Sequence, residues 1–179
     1  MKSKRKDGTS VSMHLRLSRK QSGGEVVEGE VADFAGRSAT IIAIAPFFSS
    51  GVLPANHFNG TYHSRIRLAS LSNMFVGAIP PSGMGFFTTK VSLSGQTAIS
   101  GKVSDGTAFS GTVTLGDEGQ FFVHFPLYGG KGFLSGSAII DASTFATTRR
   151  SMISNLRWKR HASPGPYPAG FELNIESVG

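Results

Sequence analysis

The stretch Leu127–Gly132, with sequence LYGGKG, has the residue types of a phosphate-binding loop, because three glycines surround a lysine. A P-loop, however, has the pattern GxxxxGK[ST] between a strand and a helix. Here the glycine spacing differs, and the following stretch, GFLSGSAII, has the pattern of a strand. We therefore predict a structural β-hairpin turn in which the glycines adopt positive φ and the tyrosine packs at the rim of the fold. Its residues are Tyr128, Gly129, Gly130 and Gly132.

A second candidate is the basic segment from Arg149 to His161, RRSMISNLRWKRH, which mixes cations with Trp158. A site for nucleic acid or another polyanion would place cations at phosphates and an aromatic ring against a base. The candidate contacts are Arg149, Arg150, Arg157, Lys159 and Arg160. The alternative, which we favour, is a strand in which Arg157 and Lys159 face water while the inward residues are Met152, Leu156 and Trp158.

The sequence gives only weak evidence for any other catalytic or metal-binding site. The five histidines form no HxH or HExxH pair, so we predict no metal site. No serine lies in a GxSxG motif, and a chain without cysteine has neither a thiolate nucleophile nor a disulfide. Asp105-Gly106 is a turn dipeptide, so the Asp105 carboxylate is expected to accept a hydrogen bond from its own backbone. We predict that the protein is not an enzyme and that it uses no cofactor.

The composition indicates which kind of fold must position these residues. Of 179 residues, 39% are hydrophobic and only 16% are charged, and the net charge is +7. Glycine is abundant at 23 residues, with 14 Phe and 1 Trp, which is typical of an all-β domain with many turns. The longest apolar run extends from Ile41 to Phe48, far short of the roughly 20 residues that span a bilayer. We predict no membrane span.

Period-two alternation of apolar and polar residues dominates the chain and predicts β-strands. It is clearest at residues 11–18, 87–93, 109–115, 121–127 and 171–176. Turn signals such as SDGT and GDEG separate these stretches. We predict ten or eleven strands in an all-β antiparallel meander, closed as a β-barrel or a strongly curled sandwich. The predicted core includes Phe109, Val113, Phe121, Val123, Phe125, Leu173 and Ile175.

Two parts of the chain resemble each other. Gly29–Asp33 (GEVAD) corresponds to Gly101–Asp105 (GKVSD), and Ser38–Ile41 corresponds to Ser110–Val113 at the same spacing of 72 residues. An internal duplication of a strand meander would produce this pattern. Convergent hairpin chemistry is the alternative, because glycine-rich β sequences share turn residues.

These patterns also predict the domain organisation. The first residues, MKSKRKDG, are basic, and we predict a disordered basic arm over residues 1–10. Residues 11–179 then form a single barrel-like domain, with pseudo-repeats near 11–69 and 85–178. Repeating a meander lets a sheet curl until its unpaired edges meet.

Residues 59–171 contain, in order, the motifs NGTY, SDGT, FPLYGGKGFLSG and LRWKR followed by YPAGF. This order resembles a β-rich module that is repeated near the ends of large bacterial surface and secreted proteins, especially in planctomycete- and verrucomicrobium-like lineages. The resemblance implies an extracellular or cell-surface module with an interaction or structural role, and an unknown protein or glycan as partner. It assigns no catalytic residue. We see no signal peptide, because no apolar stretch follows the basic start. The alternative function is a basic β-barrel domain that binds nucleic acid or another polyanion.

Overall fold

The structure is a computed structural model, and it describes residues 2–4, 10–70, 81–141 and 151–178. In these residues the chain forms twelve strands and one three-residue 3-10 helix, Tyr128–Gly130. The strands are β1 (Lys2–Lys4), β2 (Ser10–Arg19), β3 (Glu25–Asp33), β4 (Ser38–Ile44), β5 (Gly60–Ser70), β6 (Gly85–Val91), β7 (Gln96–Lys102), β8 (Ala108–Thr114), β9 (Gln120–Leu127), β10 (Gly132–Asp141), β11 (Ser151–Arg160) and β12 (Phe171–Val178). The predicted all-β fold is confirmed, with eleven strands besides the short β1. Within the described ranges, no helix has the length and apolar character needed to cross a bilayer.

The strands β5 to β12 form one antiparallel sheet that curls into a nearly closed barrel. Its order is β8-β7-β6-β5-β12-β11-β10-β9, so two four-stranded meanders, β5–β8 and β9–β12, meet at the β5–β12 ladder. The two edge strands, β8 and β9, are neighbours in sequence and lie beside each other. Side chains close this seam, because the rings of Phe109 and Phe125 stack with centroids 5.3 Å apart.

The interior of the barrel is packed with side chains. Alternate residues of each strand face inward, as in β6, where Phe87, Thr89 and Val91 are buried while the residues between them are more exposed. Six of the seven predicted core residues are buried, and the seventh, Val113, is partly buried against the same core. A cavity lined in part by Phe121 has a volume of about 10 Å³, the lower limit for holding one water molecule. Buried side chains therefore fill the interior of the barrel.

The strands β1 to β4 form a separate sheet in sequence order. Lys2–Lys4, which the sequence assigned to a disordered arm, form β1 and pair with Ser10–Ser12, because the edge of β2 offers unpaired backbone groups. The last strand, β12, pairs with β5 and not with β2. Residues 10–44 thus lie outside the barrel, although the sequence suggested one barrel over 11–179.

Five turns share one hydrogen-bond geometry. In each turn, the carbonyl of the first residue accepts a hydrogen bond from the N–H of a glycine three positions later. The N–H of the same first residue donates to the carbonyl of the residue four positions later. The glycines, with φ between 74° and 94°, are Gly23, Gly36, Gly95, Gly106 and Gly119. This is a type I turn followed by a left-handed residue. The spacing of 72 residues aligns Asp33 with Asp105. In the structure, however, the turn that begins at Asp33 corresponds to the turn that begins at Val103. Shared turn chemistry therefore explains part of the sequence resemblance, and the duplication stays a prediction.

A polar cluster joins the β2–β3 turn to the β8–β9 turn. The Asp117 carboxylate accepts hydrogen bonds from Ser22 Oγ, from Lys20 Nζ at 3.5 Å and from Gln120 Nε2 at 3.0 Å. Lys20 Nζ also lies 2.8 Å from the Glu118 carboxylate. Burial acts to raise the pKa of Asp117, but these hydrogen bonds and the Lys20 charge outweigh it and hold that pKa below its ordinary value. An ion pair and a hydrogen bond to the ionised Asp117 carboxylate thus attach the small sheet to the barrel.

Candidate functional site

The motifs selected from the sequence meet at one end of the barrel. Because neighbouring strands are antiparallel, the β7–β8 turn, the β9–β10 hairpin and the β11–β12 loop all lie at this end. Five side chains from these connections and from the end of β11 contact one another directly or through a shared neighbour. We term them the rim cluster: Asp105, Tyr128, Trp158, Arg160 and Tyr167.

The LYGGKG stretch forms a tight turn of left-handed residues. Tyr128, Gly129 and Gly130 have φ of 55°, 64° and 88°, and Lys131 is exposed. Positive φ is uncommon for a residue with a side chain, so contacts elsewhere must hold Tyr128 in place. The prediction of positive φ at Gly132 was wrong, because Gly132 begins β10. Glycine is needed there for space, since an added Cβ would lie 2.7 Å from the Tyr128 ring.

A chain of hydrogen bonds holds Tyr128. Trp158 Nε1 donates to Tyr128 Oη at 3.0 Å, and Tyr128 Oη donates to Asp105 Oδ2 at 2.6 Å. The other carboxylate oxygen of Asp105 accepts from the Thr107 backbone N–H at 2.9 Å, as predicted for this turn. Burial, together with the hydrogen bond and charge of Asp105, raises the pKa of Tyr128 well above its ordinary value. A neutral phenol thus connects the core, the hairpin and the β7–β8 turn.

Trp158 is a core residue. Its exposed fraction is 0%, and its ring packs edge-on against Phe171 with centroids 4.7 Å apart. Met152 and Leu156 are also buried on the same face of β11, whereas Arg157 is exposed. The interpretation of this segment as a strand with an apolar inner face is confirmed for residues 151–160. A fully buried indole has no face on which a base could stack.

The outward cations of β11 share a carboxylate. Lys159 Nζ lies 2.9 Å from one oxygen of Glu172, and Arg157 Nε donates to the other at 2.6 Å. The Lys159 hydrogen bond and the neighbouring Arg157 hold the pKa of Glu172 below its ordinary value, although burial opposes this. Two of the five candidate polyanion contacts therefore share one carboxylate, which offsets one of their two positive charges. Arg149 and Arg150 lie outside the described residues.

Arg160 has a different environment. Its guanidinium lies over the rings of Tyr128 and Tyr167, 4.8 Å and 5.5 Å from their centroids. Within the described part of the chain no carboxylate pairs with it, and its buried Nε has no hydrogen-bond partner. The two rings attract the charge without supplying an oxygen acceptor. The structure thus separates Arg160 from Arg157 and Lys159, which the sequence had grouped with it.

Two partners in this region were missed by sequence reasoning. Alternation placed Glu172 on the outer face of the last strand, but only the β11–β12 register sets it opposite Lys159. For Tyr167, the YPAGF motif was the one sequence feature, and it did not indicate a contact with Arg160. The described residues contain no group of three or more His, Asp or Glu side chains suited to a metal ion. No known protein-family model matches the chain, and a comparison with curated proteins gave no match.

Proposed function

We propose that the chain is a non-catalytic interaction or structural β-module of a bacterial surface or secreted protein, with a protein or glycan bound at its loops. The observation that supports this most is that polar groups of the rim cluster are bonded within the fold. Asp105 and Tyr128, which could have been an acid and a base, are bonded to each other and to the scaffold. The packed barrel holds these loops rigidly, and rigid scaffolds that carry exposed loops are the usual arrangement in binding domains.

The second candidate is polyanion binding through β11. It is favoured by the net charge of +7 and by Arg160, which lacks a carboxylate partner among the described residues. The shared Glu172 argues against it, because a phosphate at Arg157 or Lys159 would have to displace or lie beside that carboxylate. An exposed aromatic ring for base stacking is also missing on this strand, since Trp158 is buried.

A DNA titration at several salt concentrations separates the two functions. Binding through β11 requires that replacing Arg157, Lys159 and Arg160 together by Gln flatten the slope of log affinity against log salt by roughly two to three units, because each phosphate contact contributes about 0.7–0.9. We expect weak DNA binding whose salt slope changes by less than about one unit in the triple variant, because Arg157 and Lys159 are paired with Glu172. Arg67→Gln is the matched control, since Arg67 pairs with Glu176 on the barrel wall. A steep slope that flattens in the triple variant alone would favour the polyanion function over ours.

A further inference from the structure

We propose that the barrel end at the rim cluster binds a single carboxylate or sulfate group of an acidic polysaccharide, through Arg160, Lys131 and His161. The inference rests on the proposed function, because it assigns a ligand to the loops of that module. It begins from Arg160, whose guanidinium carries five N–H donors arranged to match an oxyanion. Arg160 is partly buried and lies against two tyrosine rings. A side chain that is already held in place loses little freedom when it binds a ligand.

Two further donors lie next to Arg160. The His161 N–H donates to the Lys131 carbonyl at 2.8 Å, which fixes the start of the β11–β12 loop to the β9–β10 hairpin. The side chains of Lys131 and His161 are both exposed. Hence the backbone brings Lys131, Arg160 and His161 to neighbouring positions of two loops, and the side chains of Lys131 and His161 are open to solvent.

The charge at this end favours an anion. The hairpin residues 127–132 and the loop residues 160–170 contain three Lys, Arg or His and neither Asp nor Glu. Asp105, in the third connection, is already engaged by the Tyr128 hydroxyl and the Thr107 N–H. With His161 neutral, Lys131 and Arg160 outnumber the one carboxylate, Asp105, so residues 103–107, 127–132 and 160–170 together carry a charge of +1 that favours an oxyanion.

The shape of the site fits a sugar chain better than a nucleic acid. An added Cβ at Gly129 or Gly130 would meet no atom within 4 Å, so the hairpin backbone is open to a flat ligand. Nucleic acids would need a row of phosphate contacts and an aromatic ring for stacking. Here the three candidate donors occupy neighbouring positions of two loops, Trp158 is buried, and Tyr128 and Tyr167 contact the Arg160 guanidinium.

The test is a titration of the full chain with oligogalacturonate, which carries carboxylates, and with dextran sulfate, which carries sulfates. Neutral dextran is the uncharged control. We expect Lys131→Gln and Arg160→Gln each to weaken binding of the preferred polysaccharide by roughly tenfold, the loss typical of one charge-assisted hydrogen bond. Arg67→Gln, on the barrel wall, should leave binding unchanged. A thermal melt of each variant verifies folding, and Lys131 lies in an exposed turn where a substitution leaves the core intact.

Each other outcome overturns a defined part of the proposal. Equal affinity in Lys131→Gln, Arg160→Gln and the unmodified chain would place the ligand elsewhere and reject this site, while leaving the proposed function standing. Binding of a 20-base-pair DNA more tightly than either polysaccharide, with loss in the same two variants, would keep the site and reject the ligand class. No binding of either polysaccharide would reject the inference as a whole, and the DNA titration would still decide the proposed function separately.

Discussion

Replacement of Trp158 by alanine is expected to lower the free energy of unfolding by about 3–5 kcal/mol, the cost of removing a large aromatic side chain from a core. The indole is fully buried, contacts Phe171 and donates to Tyr128 Oη, so the variant loses packing and a hydrogen bond. Chemical denaturation of the purified chain gives this energy directly.

Two further variants isolate the cause. Tyr128→Phe keeps the ring but removes the hydroxyl between Trp158 and Asp105, and it should cost only about 1–3 kcal/mol, the penalty for leaving a buried partner unsatisfied. The triple Gln variant of Arg157, Lys159 and Arg160 should remain folded, because these side chains lie outside the apolar core. A melting temperature of Trp158→Ala equal to that of the unmodified chain would contradict the assignment of β11 as a core strand.

Phe125→Asp is expected to abolish folding. The Phe125 ring is buried, stacks on Phe109 and would lie 2.7 Å from a Cβ added at Gly111, so it fills the seam between β8 and β9. A buried, unpaired carboxylate costs several kcal/mol in addition to the lost packing, which together approach the 5–15 kcal/mol that typically stabilises a domain. The near-ultraviolet circular dichroism of the variant should be flat.

The control for this variant is on the same strand. His124 is exposed on the outer face of β9, so His124→Asp should keep a cooperative melt close to that of the unmodified chain. If Phe125→Asp also melted cooperatively with native spectra, the seam would not depend on this ring.

Much of the fold could be predicted because strands leave a local signal. The alternation at residues 121–127 predicts both the strand β9 and its buried face, and the DGT turn predicts the Asp105 hydrogen bond to the Thr107 N–H. The division into two sheets could not be predicted, because β2 and β6 alternate in the same way. Which strands pair is decided by distant contacts, such as the β5–β12 ladder.

The site shows the same limit. Arg157, Lys159 and Arg160 are close in sequence, which suggested one basic patch, but a strand turns successive side chains to opposite faces. Arg157 and Lys159 therefore point outward to Glu172, whereas Arg160 shares the inward parity of Trp158 and ends at the rim. The role of Arg160 depends on Tyr167 from another loop, and no sequence pattern links these two residues.

The order of strands around the barrel has a consequence for how the chain folds. Each meander forms between strands that follow one another, whereas the β5–β12 ladder joins Ile66 to Ser177, 111 residues apart. Closing so long a loop is entropically costly before any contact is gained, and such pairings slow folding. We expect the ladder to form in the rate-limiting step and the β8–β9 seam to close afterwards. In stopped-flow experiments, Ile66→Val should then slow refolding, whereas Phe109→Leu at the seam should mainly accelerate unfolding. The reverse pattern would mean that the barrel closes from the seam.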